Sequence, residues 1–280
     1  MKKISILFTS LLINLACMNA SAQLKMPQSS SSQTLIQEFG LGKVTVKYSR
    51  PNIKGRSLEK DLIPFGEVWR TGANDATVIT FTDAVTLEGN PVAAGEYALF
   101  TIPGKDEWII ILNKETKQWG SYQYKQAEDV LRFKVKPIKL TERLETFSIN
   151  FSDVMPSSAN LYLSWENTQI TIKMTTEVDS KVMANIDAAM KSEKPPFYPA
   201  AIYYFENGKD LKKALEWINI AEASDQKAPW FKYQKARIQL KIGDKKGASQ
   251  TARAGIEAAK VLNNAEYIRL NEKILTQASR

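Results

Sequence analysis

The chain has 280 residues, 44% hydrophobic and 24% charged, a formal net charge of +8, one cysteine and no histidine. That is enough for one large globular domain or two ordinary ones. Without histidine there is no Ser-His-Asp triad and no His-ligated zinc or iron site, so acid–base work would fall to Asp, Glu, Lys or Tyr. No calcium-loop spacing is present, and we expect neither a metal nor a cofactor.

Lys2 and Lys3 precede an apolar run, Ile4 to Ala16, and Ala20-Ser21-Ala22 has the small-residue pattern of a cleavage site before Gln23. Residues 1–22 therefore read as a secretory signal peptide, and the chain as exported to the periplasm or outer cell envelope. The apolar run is too short to span a bilayer, and no later stretch is longer, so no transmembrane helix is expected. Leu15-Ala16-Cys17 also resembles, less closely, the box before a lipidated N-terminal cysteine. Cleavage after Ala22 would instead leave a mature chain with no cysteine, whose fold rests on its core alone. The positive charge falls mostly after Pro195, which suits a solvated helical surface, an acidic partner or anionic lipid. Export argues against a nucleic-acid partner.

Gln23 to Gln33, with Ser29 to Ser32 in a row, reads as a flexible lead-in. Val44, Val46 and Tyr48 alternate with polar residues and mark a half-buried strand. Pro51 opens a long polar loop that runs to Thr77. Strands are then expected at Thr77 to Thr82, Ala84 to Leu87, Glu96 to Ile102 and Glu107 to Leu112, with a turn at Glu88 to Pro91. The Glu107 to Leu112 stretch (EWIIIL) is continuously apolar and should be buried on both faces. Tyr122 to Tyr124, Val130 to Val135, Thr146 to Phe151, Asn160 to Trp165 and Thr168 to Met174 complete the set, with Glu166-Asn167 as a tight hairpin. Many short strands separated by turns predict an antiparallel β-sandwich over residues 23–176.

At Glu177 the period changes. Val178, Val182, Ile186, Ala189 and Met190 share a helical stripe, giving a linker helix over 177–194. Pro195, Pro196 and Pro199 break it. Residues 195–280 carry further helical stripes and a weak repeat: Gly208 and Gly243 lie 35 apart, Ala214 and Ala248 lie 34 apart. That period and the small residues predict a tetratricopeptide-like unit, a candidate surface for a protein partner.

The stretches YSRPNIKGRSLEKDLIPFGEVWRTGANDATVITF, GEYALFTIP, EWIIILNK, QWGSYQY and DVLRFKV, in that order, resemble a family of secreted bacterial proteins known as domain of unknown function 2911. The resemblance covers roughly Gln23 to Asp153. It implies an envelope location and a shared fold, and carries over no catalytic residue. Relatives usually have Glu where this chain has Asp75.

The long loop supplies the candidate ligand-binding residues. Arg50, Arg56 and Arg70 could converge on an anion, or pair with Glu59, Asp61, Glu67 or Asp75 and pin the loop. Trp69 is either a stacking platform or core, with Trp119 and Tyr122 as a second wall; Trp108 and Trp165 read as core. Asn74 and Asp75 are turn formers that could also accept hydrogen bonds from a ligand. Three functions stay open: a binding module for an anionic or glycan-like ligand, a glycan hydrolase using a carboxylate pair drawn from Asp75, Glu96 and Glu107, and a structural or assembly module.

Overall fold

The computed structural model describes Met26 to Ser279. It contains two antiparallel sheets followed by a helical region, and divides into two compact units at Val178/Asp179. The leader and Cys17 lie outside the described residues.

The larger sheet has the order β1-β2-β3-β6-β7-β8, built from Ser31–Phe39, Gly42–Arg50, Thr77–Phe81, Gly95–Ile102, Trp108–Asn113 and Asp129–Val135. The smaller has the order β5-β4-β10-β9, from Asn90–Val92, Val85–Leu87, Ser158–Thr175 and Ile138–Ser152. Alternation decides which side chains meet between them. Val44, Val46 and Tyr48 of β2, Tyr97 and Leu99 of β6, and Trp108, Ile110 and Leu112 of β7 point inward. They meet Phe147 and Ile149 of β9 and Leu161, Leu163 and Trp165 of β10.

The expected Glu166-Asn167 hairpin is absent: β10 runs straight through. The inward residues are odd-numbered up to Trp165 and even-numbered from Ile170 to Met174. Register shifts on either side of Glu166, whose φ is +50°, change that parity. From Ser164 to Thr168 the partner on β9 runs from Ser148 to Lys139, so β9 bulges against β10 and the faces change without the chain reversing.

Other local expectations also change. Ser31 to Gln33 opens β1, an edge strand paired with β2 in register from Ser31↔Arg50 to Phe39↔Gly42. The turn expected at Glu88 to Pro91 is present as Glu88-Gly89, and Asn90 to Val92 pairs back on β4 as β5. Tyr122 and Gln123 lie in a turn and Tyr124 in irregular chain, where a strand was expected.

The six-stranded sheet has a second apolar layer on its outer face. Ala98, Phe100 and Ile102 of β6 and Ile109 and Ile111 of β7 pack with Val68, Ala76 and Tyr124. Tyr124 sits edge-on to Phe100 at 5.2 Å and donates to Asp129 at 2.6 Å. Burial, and then the adjacent Asp129, push its phenol pKa well up. Both faces of β7 are thus covered, which is why its sequence is apolar throughout. The end of the long loop, through Val68 and Ala76, and the segment after β7, through Tyr124, form the cover.

Among its described residues the second unit holds six helices: α1 Asp179–Ala189, α2 Phe197–Glu206, α3 Leu211–Ser224, α4 Pro229–Ile242, α5 Lys245–Val261 and α6 Ala265–Ala278. Asp210, Asp244 and Asn264 cap α3, α5 and α6 through their side chains. Pro229 starts α4, and Gly243, at φ +96°, ends it. Val182, Met183, Ile186 and Met190 of the α1 region pack with Ala200, Ala201, Trp217 and Ile218. Ala236, Ala248, Ala252 and Ile274 form the next cluster along. Among the described residues no helix is long and apolar enough to cross a membrane.

Candidate functional site

The loop after β2 first changes sheets. Asn52 bridges Thr146, and Ile53 N–H and Phe147 N–H exchange bonds with Glu145 and Pro51 carbonyls at 2.8 and 2.9 Å. The loop therefore covers the free edge of β9, as sheet edges require. Ile53, Leu58 and Ile63 anchor it in the core.

The arginines do not converge. Arg50 donates through Nε to the Phe147 carbonyl at 3.1 Å. Arg56 donates to the carbonyls of Ile53 and Asn52. Arg70 donates to the carbonyl of Asn74 at 3.1 Å. Among the described residues none of the three has a carboxylate within ion-pair distance, so neither an anion pocket of three guanidinium groups nor the expected loop ion pairs are formed. Each instead gives one or two of its donors to backbone carbonyls.

Trp69 is only 9% exposed, and its rings are enclosed. It stacks on Trp165 at 5.8 Å and meets Phe147 at 5.0 Å and Trp108 at 6.4 Å edge-on. Its indole N–H donates to the Gly72 carbonyl. The stacking platform considered for it therefore has no free face. Trp108 and Trp165 are core, as their strand positions predict.

The turn that follows is held by several bonds. The Thr77 hydroxyl donates to the Thr71 carbonyl at 2.6 Å, and the Asn74 amide reaches Ser49 Oγ at 3.3 Å. A Cβ on Gly72 would stand 2.9 Å from the Ser49 carbonyl, so only glycine lets the turn lie this close to β2. The turn then pairs with a distant segment. Asp75 bridges Trp119, Ala76 N–H donates to the Gln118 carbonyl at 3.0 Å, and Gly120 N–H donates to the Asn74 carbonyl at 3.0 Å. Gly120 has φ +70°, and a Cβ there would stand 2.7 Å from the Tyr122 ring and 3.0 Å from the Arg70 guanidinium. Thus Arg70, Asn74, Asp75, Trp119 and Tyr122 are brought together, while Arg50, Arg56 and Trp69 lie elsewhere.

Beside this pairing lies an open cleft of about 420 Å³. Asp75, Gln118 and Trp119 line it from the bridge, Lys47, Ser49 and Val78 from the outward positions of β2 and β3, and Ser32, Thr116 and Lys117 from the rim. Trp119 is 61% exposed. Asp75 is the one carboxylate among the lining residues. Glu96 reaches the cleft only through a hydrogen bond from Thr116 at 3.2 Å, and Glu107 is paired with Lys134 at 2.8 Å. Among the described residues no group of three or more His, Cys, Asp or Glu could hold a metal.

A family model described as Protein of unknown function (DUF2911) matches residues 30–174. The chain belongs to this family. The DUF2911 match takes in every strand except Thr175, the last residue of β10, and every residue of the cleft. No curated protein and no solved structure matches the chain.

Within the DUF2911 region, Lys47, Ser49, Lys117 and Gln118 belong to the cleft although none stood out as a candidate in the sequence. Lys47 and Ser49 are the outward partners of Val46 and Tyr48, a signal available from alternation. Lys117 directly precedes the QWGSYQY aromatic cluster, and Gln118 is its first residue. What the sequence does not carry is the bridge that sets Asp75 opposite Trp119.

Proposed function

We propose that the chain is an exported binding module whose cleft over the six-stranded sheet takes up an anionic or glycan-like ligand. The observation that carries this reading is the pairing of Asp75 with Trp119. It sets an exposed indole beside a carboxylate that has no hydrogen-bond donor among the described residues. Indole faces and carboxylate acceptors are the means by which proteins hold sugar rings and hydroxyls. Lys47 and Lys117 add charge for an acidic substituent. A glycan hydrolase is less well supported, because a glycosidase needs two carboxyl groups flanking one bond and the cleft offers Asp75 alone. A structural role has its support in Arg50, which donates to the backbone of β9, and Arg56, which donates to the backbone of its own strap.

The leader over residues 1–22 is the basis for placing the chain in the periplasm or outer envelope, with a lipid anchor at Cys17 as the lesser variant. We read the first unit as residues 23–176, 177–194 as a linker helix, and residues 195–280 as a tetratricopeptide-like unit that docks a protein partner. The repeated Gly and Ala intervals support that last assignment, as do the capped, alanine-lined helix pairs.

The test is a glycan and carboxylate binding screen on the full chain, followed by titration calorimetry. Trp119→Ala and Asp75→Asn should each weaken the selected ligand at least about tenfold, the loss of one stacking or charge-assisted contact. Unchanged affinity in both variants would remove the cleft from consideration.

A further inference from the structure

Among the described residues the two sheets end in four outer strands, and three of these are guarded. β9 is covered by the loop after β2. β5 is three residues long with Pro91 in its middle. β8 carries Arg132 and Lys134 and runs on into Lys136 and Pro137. Such devices keep unpaired strand edges from joining. β1 has none of them. It runs for nine residues, SSQTLIQEF, without proline, lysine, arginine or bulge, and Glu38 is its one charge. Its Ile36 is 64% exposed.

Which backbone groups β1 leaves free follows from its hairpin. Gly40, at φ +63°, and Leu41 form a two-residue loop closing on Phe39 and Gly42. A loop of this kind is closed by a hydrogen-bonded pair, and bonded pairs then alternate along the ladder. Odd-numbered residues of β1 therefore bond to β2. Lys43 agrees with this parity. It stands opposite Glu38, yet its N–H donates to the Thr82 hydroxyl at 2.8 Å and its carbonyl accepts from Thr82 N–H at 3.1 Å, on the β3 side. Ser32, Thr34, Ile36 and Glu38 thus turn their N–H and C=O groups to the outer edge.

A second copy of the chain, running antiparallel, fits that edge. In one register Leu35 lies beside the partner's Leu35 on a twofold axis. Ser32 then faces the partner's Glu38, Thr34 faces the partner's Ile36, and every outward group on both strands is paired. A slip by two residues sets Ser32 or Glu38 opposite a residue outside the strand. The charges suit the same register. Each Glu38 stands beside a neutral serine, and the two carboxylates lie at opposite ends of the seam, about 20 Å apart along the strands. Leu35 is half-buried and packs against the core between the sheets, so its own copy would cover its open side and carry that core across the axis. Ile36 gains the β-branched Thr34 as a cross-strand neighbour. We propose that β1 is the contact between two copies of this chain, joined antiparallel about Leu35 so that their six-stranded sheets become one.

The experiment is sedimentation velocity on the full chain across the micromolar range. The parent should approach twice the monomer mass as concentration rises. Ile36→Lys adds the guard that β1 lacks at an exposed position. It should sediment as a monomer with an unchanged circular dichroism spectrum. Leu35→Cys combined with Cys17→Ser should give a disulfide-linked dimer on mild oxidation, because facing residues of a non-bonded pair lie about 4.5 Å apart at Cα. Gln37→Cys in the same background should not, because it faces the partner's Gln33. A parent that stays monomeric overturns the proposal and leaves the edge to an extended segment of another protein. A dimer that survives Ile36→Lys, or cross-linking at Leu35 that is absent or no greater than at Gln37, overturns it too. Where Ile36→Lys alters the spectrum, the two cysteine variants decide.

Discussion

The two units are packed on opposite principles. Between the sheets the core consists of large side chains: Trp69, Trp108, Phe147, Trp165 and a set of Ile, Leu and Val. Between the helices the fully buried positions are mostly alanine, among them Ala201, Ala214, Ala236, Ala248, Ala252 and Ala259. Sheets stack about 10 Å apart and need long side chains to fill the gap, whereas small residues let helix backbones approach closely. The first unit should therefore fail when volume is removed, the second when volume is added.

The largest effect expected is in the sandwich. Trp69→Ala removes a ring that touches three other aromatic side chains and should destabilise the unit by about 3–5 kcal/mol, read by urea denaturation monitored with circular dichroism. A loss well under 1 kcal/mol would mean the cluster is not what joins the sheets. Next is the reverse substitution in the helices. A Cβ on Gly255 of α5 would lie 2.5 Å from Oδ1 of the fully buried Asn271 on α6. Gly255→Ala should cost about 1–3 kcal/mol in the same assay despite alanine's better helix propensity. A stabilised variant would refute the close-packing argument.

The smallest effect is electrostatic. Glu222 of α3 accepts from Lys232 at 2.7 Å and Lys235 at 2.8 Å on α4. Burial alone would raise its pKa, but the two lysine hydrogen bonds outweigh that and hold it below the ordinary 4.5. A depressed folded-state pKa contributes stability that is complete above 4.5 and is lost as pH falls through the lower folded value. Thermal melts of Glu222→Gln should accordingly show a flatter acid limb than the parent over that window. Parallel curves would show that the lysines hold the helices without this linkage.

This contrast also governs what could be read without coordinates. β2, β3, β6 and β7 were legible because a sheet core imposes alternation on large residues. The edge strand β1 was not, since Gln33 and Gln37 occupy its half-buried positions and conceal the pattern. The bulge at Glu166 mimicked a hairpin because both interrupt a period of two. At the site, Asp75, Trp119 and Tyr122 could be picked out by residue type. Their assembly could not, because it depends on pairing across more than forty residues. The arginines misled for a simple reason: a guanidinium bound to a carbonyl oxygen leaves no partner residue type in the sequence.

The outer apolar layer also bears on how the cleft would behave. Phe100, Ile111 and Tyr124 pin the same cover that presents Gln118 and Trp119. The wall is thus preformed, and a guest docks against it without first ordering a loop. Association of that kind should be rapid, with a modest heat-capacity change and little protection gained by the surrounding amides.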